Sequence, residues 1–129
     1  MNETKVATRG LLLVDHGTRN GEANARLAQL AHEVARARPT WLVERAHMEL
    51  AAPDFDTGID ELVARGATEI LVHLHFLVTG FHVRESIPLL VAKARDRHPG
   101  LPIETTEPLG DDPRLVDIVI HRVDDRMRE

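Results

Sequence analysis

Apolar residues recur along the chain in two alternating rhythms. Residues 11–14 (Leu-Leu-Leu-Val) form a short, continuous apolar run, as expected of a strand buried on both faces. Residues 41–50 predict a second strand, 69–78 a third and most hydrophobic one, and 103–106 a short fourth. Helical spacing fills the intervals. From Gly21 to about Arg38, Leu27, Leu30, Ala31 and Val34 share one stripe of an alanine-rich helix that Pro39 stops. Pro53 and Asp54 open a helix with Ile59, Leu62 and Val63 inward, closed by Gly66. Ser86 to about His98 predicts a third helix with Pro88 in its first turn, ended by Pro99-Gly100. Asp111 to Arg126 predicts a last helix with Leu115, Ile118, Val119 and Val123 inward.

This order of strands and helices implies a four-stranded parallel sheet covered on both faces, an α/β fold. Such sheets bind ligands beyond the carboxyl ends of their strands. His16 stands at the end of the first strand and Glu49 at the end of the second. Gly80-Phe81-His82 follows the third, and Pro108-Leu109-Gly110 the fourth. The polar and glycine-bearing pieces thus converge on one edge.

Composition narrows the chemistry. The 129 residues suit a single domain over 1–129 with its core at about 10–127. The net charge of −5 and the lack of a basic run argue against nucleic acid. With no cysteine, disulfides, thiolate catalysis and thiolate metal sites are excluded. No apolar run approaches the roughly 20 residues of a membrane span, and the first ten residues do not resemble a signal peptide. A cytoplasmic protein is expected. Aromatic content is low, so the core must be aliphatic; histidine, by contrast, occurs eight times.

Each histidine has a sharp reading and a bland one. His16 and His82 both follow a strand and border a glycine turn, so their imidazoles are candidate metal ligands or bases. The first and third strands of a doubly wound sheet are commonly adjacent, which would set these two across one crevice. Two neutral imidazoles suit cobalt, nickel, ferrous iron or zinc. Glu49 could ligate metal, orient a histidine or move protons, and on an unbroken strand it would share a face with Val43, Arg45 and His47. His73 and His75, two apart on a strand, point the same way and are compatible with a second metal site, although a buried strand histidine is more often simply hydrogen-bonded. The same reading applies to His47. His32, His98 and His121 fall among charges on helices and read as solvated. Asp15 could pair with a cation or bind the next loop. Arg19 and Arg84, near the two key histidines, could hold an anionic substrate. The segment His16-Gly17-Thr18-Arg19 also resembles the Arg-His-Gly motif of histidine phosphatases, but Asp15 in place of the arginine would repel a phosphoryl group.

The segments LLLVDHGTRNGEAN, HMELAAPDFDTGIDELVARGATEILVHLHFLVTGFHVRESIP and EPLGDDPRLVDIV resemble the small, single-domain sirohydrochlorin chelatases over about residues 10–125. The resemblance implies a flavodoxin-like, chelatase-like three-layer sandwich. It implies insertion of cobalt, nickel or ferrous iron into sirohydrochlorin or a related tetrapyrrole, in cobalamin or siroheme biosynthesis. The metal would be a substrate, and no permanently bound cofactor is expected. By position His16 and His82 match that family's active-site histidines, and Glu49 its acidic residue. Both histidines would bind metal and act as bases, with Arg19, Arg84 and the Gly80 loop holding the carboxylates of the macrocycle. It further implies a homodimer with the cleft between subunits. Asp15, Leu74 and Ser86 depart from the family pattern, where a small residue, a proline and an aspartate are common. The alternative is a relative that binds metal or tetrapyrrole without inserting one into the other.

Overall fold

A computed structural model describes residues 6–128; residues 1–5 and 129, the extreme ends of the expected domain, lie outside it. The elements run β1 (Arg9–Asp15), α1 (Gly21–Ala37), β2 (Leu42–His47), α2 (Phe55–Ala64), β3 (Glu69–Leu74), α3 (Phe81–Arg97), β4 (Ile103–Thr105) and α4 (Arg114–Met127), with one 3-10 turn at Leu109–Asp111. All strand pairs are parallel, in the order β2-β1-β3-β4. The expected α/β fold is present, and β1 and β3 are neighbours.

Parity along β1 divides the core. Leu12 and Val14 turn to the side where α2 and α3 contribute Ile59, Leu62, Ile87 and Val91. Leu13 turns to the other side, against Leu27 and Ala31 of α1, with Leu11 packed alongside. A strand apolar on both faces is what a central parallel strand needs. Helix starts follow from capping. The Asn20 side chain accepts from the amides of Glu22 and Ala23, and Asp54 accepts from Thr57.

Four expectations need correction. The strand of 41–50 stops at His47, because the chain bends through 48–53 and Leu50 adopts a left-handed backbone (φ 69°). Glu49 therefore lies beyond the strand and does not share the face of His47. The strand of 69–78 stops at Leu74, its remainder forming the loop into α3. That helix begins at Phe81, not Ser86, with Gly80 as N-cap. Pro88 thus falls inside the helix rather than in its first turn. The last and largest difference is α4. Val116, Ile118, Val119 and Val123 are all more than half exposed, Leu115 is only half-buried, and among the described residues of this helix none is buried. The amphipathic period is real, but the expected inward face has nothing of its own chain to face.

Leu12, fully buried between β1 and α2, tests the main core. Leu12→Ala should lower the unfolding free energy by about 3 kcal/mol, through lost burial and an unfilled cavity. Urea unfolding measures it; a loss under about 1 kcal/mol would contradict this packing.

Candidate active site

Parallel register places Asp15, the last residue of β1, beside His47, the last residue of β2. His47 Nδ1 lies 2.5 Å from Asp15 Oδ1. A carboxylate can only accept, so Nδ1 donates. His47 is 1% exposed and is the one buried polar residue among the described residues. This pair joins the ends of two strands just where the chain leaves the sheet.

Beyond it the two loops stay together. The Met48 amide donates to the Asp15 carbonyl at 2.9 Å, and the Glu49 amide to the His16 carbonyl at 3.1 Å. Gly17 (φ 88°) sits under this crossing. A Cβ there would lie 1.9 Å from the Glu49 carbonyl oxygen and 3.0 Å from the His47 Cβ. Glycine is needed both for the turn and for the close approach. The result is that His16 Nε2 meets Glu49 Oε1 at 2.9 Å, both side chains about half exposed.

His82 comes from the third element. Because α3 begins at Phe81, His82 stands in its first turn, exposed. It lines a shallow recess of about 260 Å³ with Met48, Glu49, Ser86 and Lys93. Glu49 is therefore the shared member: it lies against His16 and borders the recess of His82. The other expected residues are more scattered. Arg19 is exposed in the loop before α1, a loop held by paired bonds between Thr18 and Asn24. Arg84 borders a different recess, of about 510 Å³, with Thr79, Glu107 and Asp111. Gly80, the N-cap of α3, has open space where a side chain would be, and its carbonyl accepts from the Arg84 amide. Helix N-termini of this kind suit carboxylates.

The remaining histidines divide. His73 Nε2 and His75 Nδ1 are 3.1 Å apart, pointing the same way as expected. They border an apolar groove on the α1 side of the sheet. Burial, and then the neighbouring His75, hold the His73 imidazole below its ordinary 6.5. His98 differs from its solvated reading: its Nε2 is 2.8 Å from Asp60 Oδ1 and its side chain is largely covered. His32 and His121 are exposed, as read. The Asp15–His47 pair is the feature that sequence reasoning underweighted. It rests on the strand register, Asp15 beside His47, which the sequence pattern does not specify. Among the described residues no three His, Cys, Asp or Glu side chains converge as a metal site. An imidazole beside a carboxylate still provides borderline and hard donors suited to a first-row divalent ion, and a base for a proton.

Fold and site together define a doubly wound parallel α/β domain with a histidine–glutamate site at the carboxyl ends of its strands. A family model described as CbiX matches residues 10–126, and the chain belongs to that family. It is 35% identical over 114 residues to the chloroplastic sirohydrochlorin ferrochelatase of Arabidopsis thaliana, covering 88% of this chain and 51% of that protein. The CbiX protein from Marinobacter aquaeolei VT8 superposes with a TM-score of 0.80 at 26% identity, covering 93% of this chain and 98% of the other. The cobalt complex of the sirohydrochlorin chelatase SirB from Bacillus subtilis subspecies spizizenii gives 0.81 at 31%, covering 92% of this chain but 50% of SirB. The chain spans about half the length of the ferrochelatase relatives it matches.

Two predictions follow from this geometry. Gly17→Ala cannot be absorbed without moving the Glu49 carbonyl, so it should separate His16 from Glu49 and lower the melting temperature; an unshifted melting curve would contradict the crossing. The lowered His73 pKa means that the unfolded chain binds the extra proton more readily. Its contribution to stability is complete above pH 6.5 and is lost as pH falls through 6.5 toward the folded-state value. Urea unfolding between about pH 7.5 and 5.5 should show a smaller acid loss for His73→Gln than for the parent. Identical slopes would be the contrary result.

Proposed function

We propose that this protein is a chelatase that inserts a divalent metal, cobalt, nickel or ferrous iron, into sirohydrochlorin or a related tetrapyrrole, serving cobalamin- or siroheme-type cofactor synthesis. The observation that carries the reading is Glu49, 2.9 Å from His16 Nε2 and bordering the recess of His82. Metal and macrocycle are both substrates, and no permanently bound cofactor is required. Insertion releases two pyrrole protons for each divalent ion bound. Neutral imidazoles can hold the incoming ion and accept protons near neutrality, since their ordinary pKa is about 6.5. His16 and His82 take both roles, and Glu49 assists proton removal from its place beside His16. Half-exposed donors bind loosely, which a metal in transit requires. Arg19, Arg84 and the amides following Gly80 hold the carboxylates of the macrocycle, offsetting the protein's net negative charge.

The same reading makes the chain a single domain over 1–129, with its core at about 10–127, acting as a cytoplasmic homodimer. Its half-length match to SirB supports pairing, since a second copy would supply a second half. Two copies facing one cleft would bring four histidines to it, two from each. Among the described residues no helix is long and apolar enough to cross a membrane.

The test is an anaerobic absorbance time course of sirohydrochlorin with Co²⁺, Ni²⁺ or Fe²⁺. The parent protein should accelerate insertion. His16→Ala and His82→Ala should each lose about 100-fold or more of that acceleration while keeping their fold. Glu49→Gln should slow insertion more than it weakens metal binding. Parent-like turnover by either histidine variant overturns the mechanism. Stoichiometric retention of metal with no turnover by the parent would support instead a module that binds metal or tetrapyrrole.

A further inference from the structure

The recess that holds His82 continues along α3. His82, Ser86, Leu89 and Lys93 all line it, and their helical spacing puts them on one face of the helix. Met48 and Glu49, from the loop after β2, complete it. Its two ends differ in charge. At the start of the helix, the Glu49 carboxylate and the His82 imidazole suit a cation. Lys93 lies eleven residues further on, about 16 Å along the axis, and its ammonium suits an anion. Side chains on a helix lean toward its N-terminus, so Lys93 leans back toward His82. Between the ends stand Ser86, which is uncharged, and Leu89, which is 65% exposed. An exposed leucine between two oppositely charged ends is an apolar ledge.

Lys93 also differs from the other cations near it on α3. Arg95 pairs with Glu104, and Arg97 with Asp56 and Asp60. These arginines tie the helix to β4 and to α2. Lys93 is exposed, and among the described residues it has no ion-pair partner. Its charge therefore does nothing for the fold, and it faces a recess that already carries the candidate chemistry at its other end.

We infer that Lys93 holds a peripheral carboxylate of the macrocycle, whose ring lies along α3 over Leu89 with its centre toward His82 and Glu49. The inference rests on the insertion reading and adds a substrate-holding residue and an orientation to it. The three parts of the recess match three parts of such a ligand. The cation-binding centre meets the imidazole and carboxylate, the flat apolar ring meets the leucine, and an acid arm meets the ammonium. Arg84 borders a different recess, so it and Lys93 would hold different acid arms.

Lysine chemistry gives a direct test, because the chain has only Lys5 and Lys93. A water-soluble carbodiimide couples a carboxylate to an adjacent amine as an amide, with net loss of water. Anaerobic, metal-free sirohydrochlorin bound to the full chain and treated this way should give a one-to-one adduct, and peptide mapping should place it on Lys93. Lys93→Arg keeps the charge without the amine. It should bind the macrocycle like the parent and give no adduct at this position. Lys93→Ala should weaken macrocycle binding, read from the macrocycle's absorbance, by about 5-fold. In the insertion assay it should raise KM by a similar factor with kcat little changed. An adduct on Lys5 or the terminal amine instead, or parent-like affinity and KM in Lys93→Ala, overturns the placement alone when the parent inserts metal. A parent that neither binds the macrocycle nor inserts metal overturns the placement and the insertion reading together.

Discussion

The arrangement of this site depends on how β1 and β2 end. Two parallel strands normally diverge once their ladder stops, because the following segments lead to helices on opposite faces. Here α1 follows β1 and α2 follows β2, and their packing pulls the chain apart. The Asp15–His47 contact resists that at the last register position, and two backbone bonds carry the pairing two residues further. The histidine is almost wholly buried, so its ring needs the partner: an unsatisfied buried donor costs about 1–3 kcal/mol. Gly17 completes the arrangement by letting the Glu49 carbonyl pass where a side chain would stand. Leu50 in the left-handed region is a cost of order 1–2 kcal/mol, sustained by the bonds around it. His16 and Glu49 are held by this crossing, not by each other, since a half-exposed ion pair contributes little by itself.

The third strand contributes differently. It ends early, and the loop that follows delivers α3 with Gly80 at its cap and His82 in its first turn. A residue on a helix start is better fixed than one in a loop, and it shares its surroundings with the first amides of the helix. The candidate site residues His16, Glu49 and His82 therefore rest on three element ends that meet along one sheet edge. Around that edge Arg84 and Gly80 lie on the side of β4 and Arg19 on the side of α1.

Much of this was legible in the chain. The apolar runs at 11–14 and 69–74 and the stripe through Leu27, Ala31 and Val34 define the elements because burial on both faces of a central strand leaves no room for polar residues. The convergence of His16, Glu49 and His82 followed from topology alone. What periodicity could not supply was where each element stops. Residues 75–78 are as apolar as a strand, but they form a loop whose Phe76 and Leu77 carbonyls meet Gly110, far along the chain. Pro88 suggested a helix start because proline suits a first turn, whereas Gly80, eight residues earlier, holds the actual cap. Glu49 reached the histidine by leaving the strand, not by sharing its face. The place of Asp15 beside His47 depends on register, which no local pattern specifies.

The misreading of α4 has a different origin. An amphipathic stripe says that one face of a helix is covered, and it carries no information about which molecule covers it. The assumption that Leu115, Val119 and Val123 turn inward treats the chain as self-sufficient. The contacts at Gly110 and Asp112 set the direction in which the helix leaves the body, and none of its described residues is buried. The sheet's α2–α3 face is complete in a single chain, and its α1 face is not. The site at the carboxyl edge lies between these two faces, and His73 and His75 border the open one.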